Sequence, residues 1–172
     1  MPAAEILSPP DESSAAREPF VSVELPPSYG ALREKLLGYL PSAEVERIDD
    51  AARFAAWSHQ GQKRASGEPY VTHPIAVASL VADWKLDASA IAAALLHDVM
   101  EDAHIRKSEL AHRFGPVTAE LVDGLTKIER LESQSLEDNQ AENFRKMLLA
   151  MARDVRVILI KLADRTHNMR TM

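Results

Sequence analysis

From Ser28 onward apolar residues recur every three or four positions, a period that predicts helices over 29–40, 43–60, 74–84, 88–102, 107–114, 117–131, 138–153 and 155–171. Boundary residues support the same reading. Pro74 and Pro116 suit the first turn of a helix, Asp87 can cap the helix that follows it, and SGEPY at 66–70 is a turn cluster. VRVILI at 155–160 is β-branched enough for a strand, yet LADRTHNMR continues it at helical spacing and favours a helix. SQSLEDNQ at 133–140 reads as a mobile connection. The expected fold class is all-α.

The first 27 residues break this pattern. They mix Pro, Ser and Glu with little apolar periodicity, which suits a disordered N-terminal extension over 1–27 ahead of one folded domain over 28–172. The chain stops at Met172 inside what reads as a continuing helix with no Gly or Asn cap, so a C-terminally truncated domain is expected.

Composition narrows the chemistry. With 46% hydrophobic and 27% charged residues the chain falls in the soluble globular range. No window approaches the roughly 18 apolar residues of a membrane helix, and MPAAEILSPPDESS lacks the basic start and apolar core of a signal peptide, so a cytoplasmic protein is expected. The absence of cysteine excludes disulfides, thiol nucleophiles and thiolate metal sites. A formal net charge of −6 argues against a general nucleic-acid or anionic-membrane binder, while leaving room for one basic pocket that takes a phosphorylated ligand.

The densest chemistry is ALLHDVMED at 94–102. On a continuous helix His97 and Glu101 are four residues apart, as are Asp98 and Asp102, so the pairs form one polar patch beside a small apolar run. A divalent cation held by His97 and Asp98 would offset the cost of that placement. A lone HD dipeptide fits a solvated helix face with a capping histidine better, and two further stretches change the balance. YVTHPIAV places His73 immediately before Pro74, extended at a helix entrance. LIKLADRTHNMRT places Asp164, Asn168 and Thr171 on one face. Singly, His73 can cap a helix and Asp164 can pair with Arg165 or Lys161. Together His73, His97, Asp98 and Asp164 make a two-imidazole, two-carboxylate set suited to a first-row divalent metal with positions open to water.

The order H…HD…D resembles the HD-domain metal-dependent phosphohydrolases. The segments HQGQKRASGEPYVTHP, ALLHDVMED, VDGLTKI and AENFRKMLLAMARDVRVILIKLADRTHNMRTM resemble the hydrolase domain of the RelA/SpoT alarmone synthetase/hydrolases, most of all the SpoT-like bifunctional members, over about residues 45 to 172. The resemblance implies an all-helical HD fold that removes the 3′-pyrophosphate of guanosine 3′,5′-bis(diphosphate), or of its 5′-triphosphate form, and so ends the stringent response. It implies Mn2+ held by His73, His97, Asp98 and Asp164, with Glu101 and Asp102 as the catalytic acidic pair beside a metal-activated water. Relatives that have lost hydrolysis carry a broken HDxxED segment, which is whole here.

The same resemblance implies that Arg64 packs on guanine, a task its planar guanidinium performs better than lysine. Asn168 and Thr171 then line the nucleoside side, and Ser66 contributes to substrate binding; without the resemblance, Arg64 reads as a solvated loop charge. Many relatives carry a lysine where this chain has Ala65, which excludes a phosphate contact through that residue. Arg145, Lys146 and Lys161 are cations that could balance the pyrophosphate. The synthetase and regulatory domains of bifunctional members are expected to be absent from this chain. An HD phosphohydrolase acting on another nucleotide shares the metal set, and a noncatalytic regulatory HD module would have no need of it intact.

Overall fold

A computed structural model describes residues 20, 22–133 and 153–171. The described residues fold into helices α1 (Pro27–Leu37), α2 (Ser42–Ser58), α3 (Thr72–Asp83), α4 (Ala88–Leu96), α5 (Val99–Asp102), α6 (Lys107–Phe114), α7 (Pro116–Ser133) and α8 (Val155–Arg170). They contain no strand beyond an isolated bridge between Lys63 and Pro69, so VRVILI is helical and the fold is all-α. The expected helix over 138–153, apart from its last residue, and most of the connection over 133–140 lie outside the described residues.

Helix α4 is the hub. Its sequence ASAIAAALL is apolar on every side, as befits a helix buried all round, and it packs against α2, α3, α7 and α8. Alanines at 90 and 92–94 let those neighbours approach closely, while Ile91, Leu95 and Leu96 are fully buried and fill the gaps. Removing each large side chain from water contributes about 1.5–3 kcal/mol. At the other end of the core Phe54 meets Phe20, Trp57 and Phe114 at ring separations of 5.5, 5.7 and 5.4 Å. Phe20 is buried, and Val23 and Leu25 pack against the same core. Packing therefore reaches back into the expected extension, whose residues 1–19 lie outside the described part.

Two features fix α8 against this hub. Asp154 caps its N-terminus by accepting from the Arg156 amide at 2.9 Å, and the Arg156 guanidinium reaches Asp87 at 2.7 Å, tying the starts of α8 and α4 together. That ion pair explains why the Asp87 side chain makes no capping bond to α4, contrary to the sequence expectation. Farther along, a Cβ on Gly124 of α7 would lie 3.1 Å from Val157 Cγ2, so glycine permits the close crossing of α7 and α8. Gly115, at φ 88°, turns the chain from α6 into Pro116, the first residue of α7.

The segment 88–102 is not one helix. His97 Nδ1 donates to Ala94 O at 2.8 Å, engaging the carbonyl that an uninterrupted helix would offer to the residue 98 amide. The chain turns at His97 and Asp98 and restarts as α5, with the Asp102 amide bonded to Asp98 O at 2.9 Å. The polar residues of HDVMED thus occupy a helix junction instead of two strips of one continuous surface.

Candidate metal centre and flanking pocket

Three helix ends and one helix face meet at this junction. His73 is the second residue of α3, not an extended residue ahead of it; turns that bond Thr72 N to Pro69 O and His73 N to Tyr70 O lead the chain into helix before Pro74. His97 and Asp98 come from the α4–α5 junction, and Asp164 from the inner face of α8. His73 Nε2 lies 3.2 Å from Asp164 Oδ1, and His97 Nε2 lies 3.1 Å from Asp98 Oδ1 and 3.9 Å from Asp164 Oδ1. One ligand atom from each of His73, His97 and Asp164 falls within 4.8 Å of the others. Asp98 joins this trio through His97, and its other oxygen accepts from the Tyr70 hydroxyl at 2.6 Å.

The donor set fits a divalent cation. His97 Nδ1 is committed to Ala94, which leaves Nε2 to face the carboxylates. That buried nitrogen has no aligned hydrogen-bond partner, although Asp98 Oδ1 is near; the contact is close but off the direction a hydrogen bond requires. Charge balance points the same way. Burial disfavours imidazolium, yet Asp98 and Asp164 outweigh it and carry the His97 pKa up to about 9. Burial likewise opposes the Asp164 carboxylate, but His73, His97 and Lys161 bring it down to about 2. Asp98 is held below the usual carboxylate range, its burial outweighed chiefly by His97. A cluster that draws this much positive charge can hold a divalent metal ion in place of the proton.

Around it stand further residues, of which Lys161 alone figured in the sequence analysis, as a partner for Asp164 and a cation for the pyrophosphate. Tyr70 packs against the ring of His59 at 4.6 Å while bonding Asp98. His167 Nδ1 lies 2.8 Å from His73 Nδ1. Lys161 is buried with Nζ 3.1 Å from Asp164 Oδ2 and 3.4 Å from Glu129 Oε1. His167 was available to helical spacing, three residues after Asp164. Tyr70 and Glu129 carried no comparable signal.

Beside the cluster opens a cavity of about 320 Å³ whose lining includes Lys63, Arg64, Tyr70, Glu129 and Asn168. The α2–α3 loop, pinned by Arg64 N to Glu68 O and Tyr70 N to Gln62 O, carries Arg64 over the opening. Arg64 Nη2 donates to Asn168 Oδ1 at 3.3 Å and Thr171 Oγ1 at 3.2 Å. Ala65 lines the cavity, whereas Ser66 is exposed and donates to Glu68 at 3.3 Å.

The acidic pair divides. Glu101 forms an ion pair with Arg130 of α7 at 3.5 Å. Asp102 remains near Asp98 and Tyr70, and burial together with the Asp98 charge raises its pKa. Arg145 and Lys146 lie outside the described residues.

Residues 51–172 match the HD domain family. The chain is 49% identical over 144 residues to the bifunctional (p)ppGpp synthase/hydrolase SpoT of Escherichia coli strain K12, an alignment covering 84% of this chain and 20% of that protein. It is 57% identical over 115 residues to the guanosine-3′,5′-bis(diphosphate) 3′-pyrophosphohydrolase of Haemophilus influenzae, covering 67% of this chain and 17% of the relative. To the GTP pyrophosphokinase rsh of Brucella melitensis biotype 1 it is 48% identical over 141 residues, 82% of this chain and 19% of the relative. The chain therefore spans about 20% of the length of such curated relatives. A solved structure of a metazoan ortholog of SpoT, a protein that hydrolyzes ppGpp, superposes with a TM-score of 0.55 at 31% identity, covering 76% of this chain and 71% of that one. The chain belongs to the HD-domain family and, within it, to the RelA/SpoT type.

Proposed function

We propose that this chain hydrolyses the 3′-diphosphate of guanosine 5′-diphosphate 3′-diphosphate, or of the 5′-triphosphate form, releasing pyrophosphate and GDP or GTP. The observation that carries the proposal is the junction of two elements in one cavity: the imidazole–carboxylate cluster, and the Arg64–Asn168 pair bonded directly to it. Asn168 Nδ2 donates to Asp164 Oδ1 at 2.8 Å while its oxygen accepts from Arg64. A ligand that fills the cavity can touch the cation site with one end and a planar guanidinium with the other. The HD relatives, including the metazoan SpoT ortholog that hydrolyzes ppGpp, support the same substrate.

His73, His97, Asp98 and Asp164 hold the cation, for which we propose Mn2+. When bound, it supplies Lewis acidity that activates water and neutralises phosphoryl charge. The protein residues do the rest. Tyr70 holds the Asp98 carboxylate in place. Asp102, with its raised pKa, accepts the proton that the attacking water loses. Glu101 assists once it parts from Arg130. Lys161 stays beside Asp164 and limits negative charge where the pyrophosphate must sit. Arg64 leaves Asn168 and Thr171 to stack on guanine, freeing their polar atoms for the nucleoside, and Ser66 joins from the same loop. The net change is addition of water across the bond between phosphorus and the 3′ oxygen, so that the 3′ oxygen leaves protonated.

The described residues contain no helix long and apolar enough to cross a membrane, and we place the activity in the cytoplasm. A hydrolysis panel with Mn2+ tests the substrate. Guanosine 5′-diphosphate 3′-diphosphate is expected to be cleaved fastest, with its adenine analogue slower and deoxynucleotides and cyclic dinucleotides inert. Preferential cleavage of one of the last two would overturn the assignment.

A further inference from the structure

We infer that His167 is a positioning residue that fixes the tautomer of His73 and thereby sets the affinity of the cation site. This rests on the proposed metal site and adds a residue to which no role has yet been given.

The two rings meet Nδ1 to Nδ1 at 2.8 Å, with centroids 5.0 Å apart and planes inclined by 41°. At that distance one proton lies between the two nitrogens: one donates and the other accepts. Two arrangements satisfy the contact. In one, His167 Nδ1–H donates to His73, whose remaining proton is on Nε2 and points at Asp164 Oδ1, 3.2 Å away. In the other, His73 Nδ1–H donates to His167, whose own proton is on Nε2. Only the second leaves the His73 Nε2 lone pair facing Asp164 and His97.

His167 is suited to accept. It is only partly buried, so a proton on its own Nε2 can be met by solvent while Nδ1 keeps its lone pair for His73. His73 is buried, and its Nδ1 has His167 as the partner on that side of the ring. Loss of the acceptor would leave Nδ1–H without a partner in a buried position, which favours the tautomer that aims Nε2–H at Asp164 and closes the ligand slot. Outer partners of metal-bound histidines typically control ten- to hundredfold in metal affinity.

The test is Mn2+ titration of purified protein without nucleotide, following the free-ion paramagnetic resonance signal, for wild type, His167→Ala, His167→Asn and His167→Gln. Asparagine places its amide oxygen where Nδ1 was; glutamine places it one bond farther out. The Ala and Gln variants are expected to bind Mn2+ about ten- to a hundredfold more weakly, with Asn close to wild type and turnover of the weak variants restored by excess Mn2+. Equal affinity of His167→Ala and wild type would overturn the inference alone. If His167→Ala does not fold, the Asn and Gln pair decides it, and equal affinities there overturn it as well. Failure of the wild type to bind Mn2+ would remove the metal-site reading and this inference together.

Discussion

Arg64 and Asn168 lie 104 positions apart in the chain and share a hydrogen bond of 3.3 Å, and Asn168 passes the connection on to Asp164 at 2.8 Å. The residue proposed to read the base is thus two hydrogen bonds from the residue proposed to hold the cation. Substrate must break the first of these bonds to place guanine against Arg64, and the guanidinium gains a ring face in exchange for an amide oxygen and a hydroxyl oxygen.

Replacing Arg64 by Ala is expected to raise KM for the guanosine substrate by a factor equivalent to about 1–2 kcal/mol, the scale of a desolvated cation–π contact, with a smaller loss in kcat. Arg64→Lys should recover little, because an ammonium cannot stack as a plane. Steady-state kinetics on the three proteins checks this, and a lysine variant equal to wild type would assign Arg64 a role as simple charge.

Asp102→Asn and Glu101→Gln are expected to lose about 10² or more in rate, typical of general acid–base work, while Mn2+ affinity stays near wild type. Their environments imply a difference in response to Arg130, which pairs with Glu101 at 3.5 Å. Arg130→Gln should alter turnover when Glu101 is present and leave the Glu101→Gln background unchanged. A double-mutant cycle on kcat measures the coupling.

The Gly124–Val157 contact sets the crossing of α7 and α8, and α8 carries Asp164 and Asn168. Gly124→Val is expected to destabilise the fold by about 1–3 kcal/mol through overpacking and to lower Mn2+ affinity by shifting Asp164. Val157→Ala should restore part of both by giving the added side chain room. Chemical denaturation and Mn2+ titration on the single and double variants separate this from a purely local effect.

Much of the fold was legible because amphipathic spacing survives packing: the range read for 107–114 coincides with α6, and those for 29–40, 74–84 and 117–131 differ from α1, α3 and α7 by a few residues at each end. The break at His97 was not legible, since it depends on a side chain taking a backbone carbonyl, and periodicity does not register that. The extended His73 was misread because Pro74 is sterically biased against a preceding helical residue, a bias that the turns at 69–72 overcome. Of the site residues, His73, His97 and Asp164 converge and Asp98 adjoins them, whereas Glu101 and Ser66 are turned to Arg130 and Glu68. Tyr70 and Glu129 were invisible as partners because their roles depend on which helices meet, information no single segment carries; for His167 the spacing from Asp164 was legible, but its partner His73 on α3 was not.

The most direct measurement is phosphorus NMR of guanosine 5′-diphosphate 3′-diphosphate incubated with the Mn2+-loaded chain, run beside Asp98→Asn. Asp98 supports the cluster through His97 at 3.1 Å, and its variant keeps the shape of the side chain while removing its charge. The expected result is GDP and pyrophosphate in equal amounts from wild type, no turnover after chelation, and none from Asp98→Asn with its helical content intact and Mn2+ no longer retained. An intact substrate with folded, Mn2+-loaded wild type, release of orthophosphate in place of pyrophosphate, or undiminished turnover by Asp98→Asn would contradict the account.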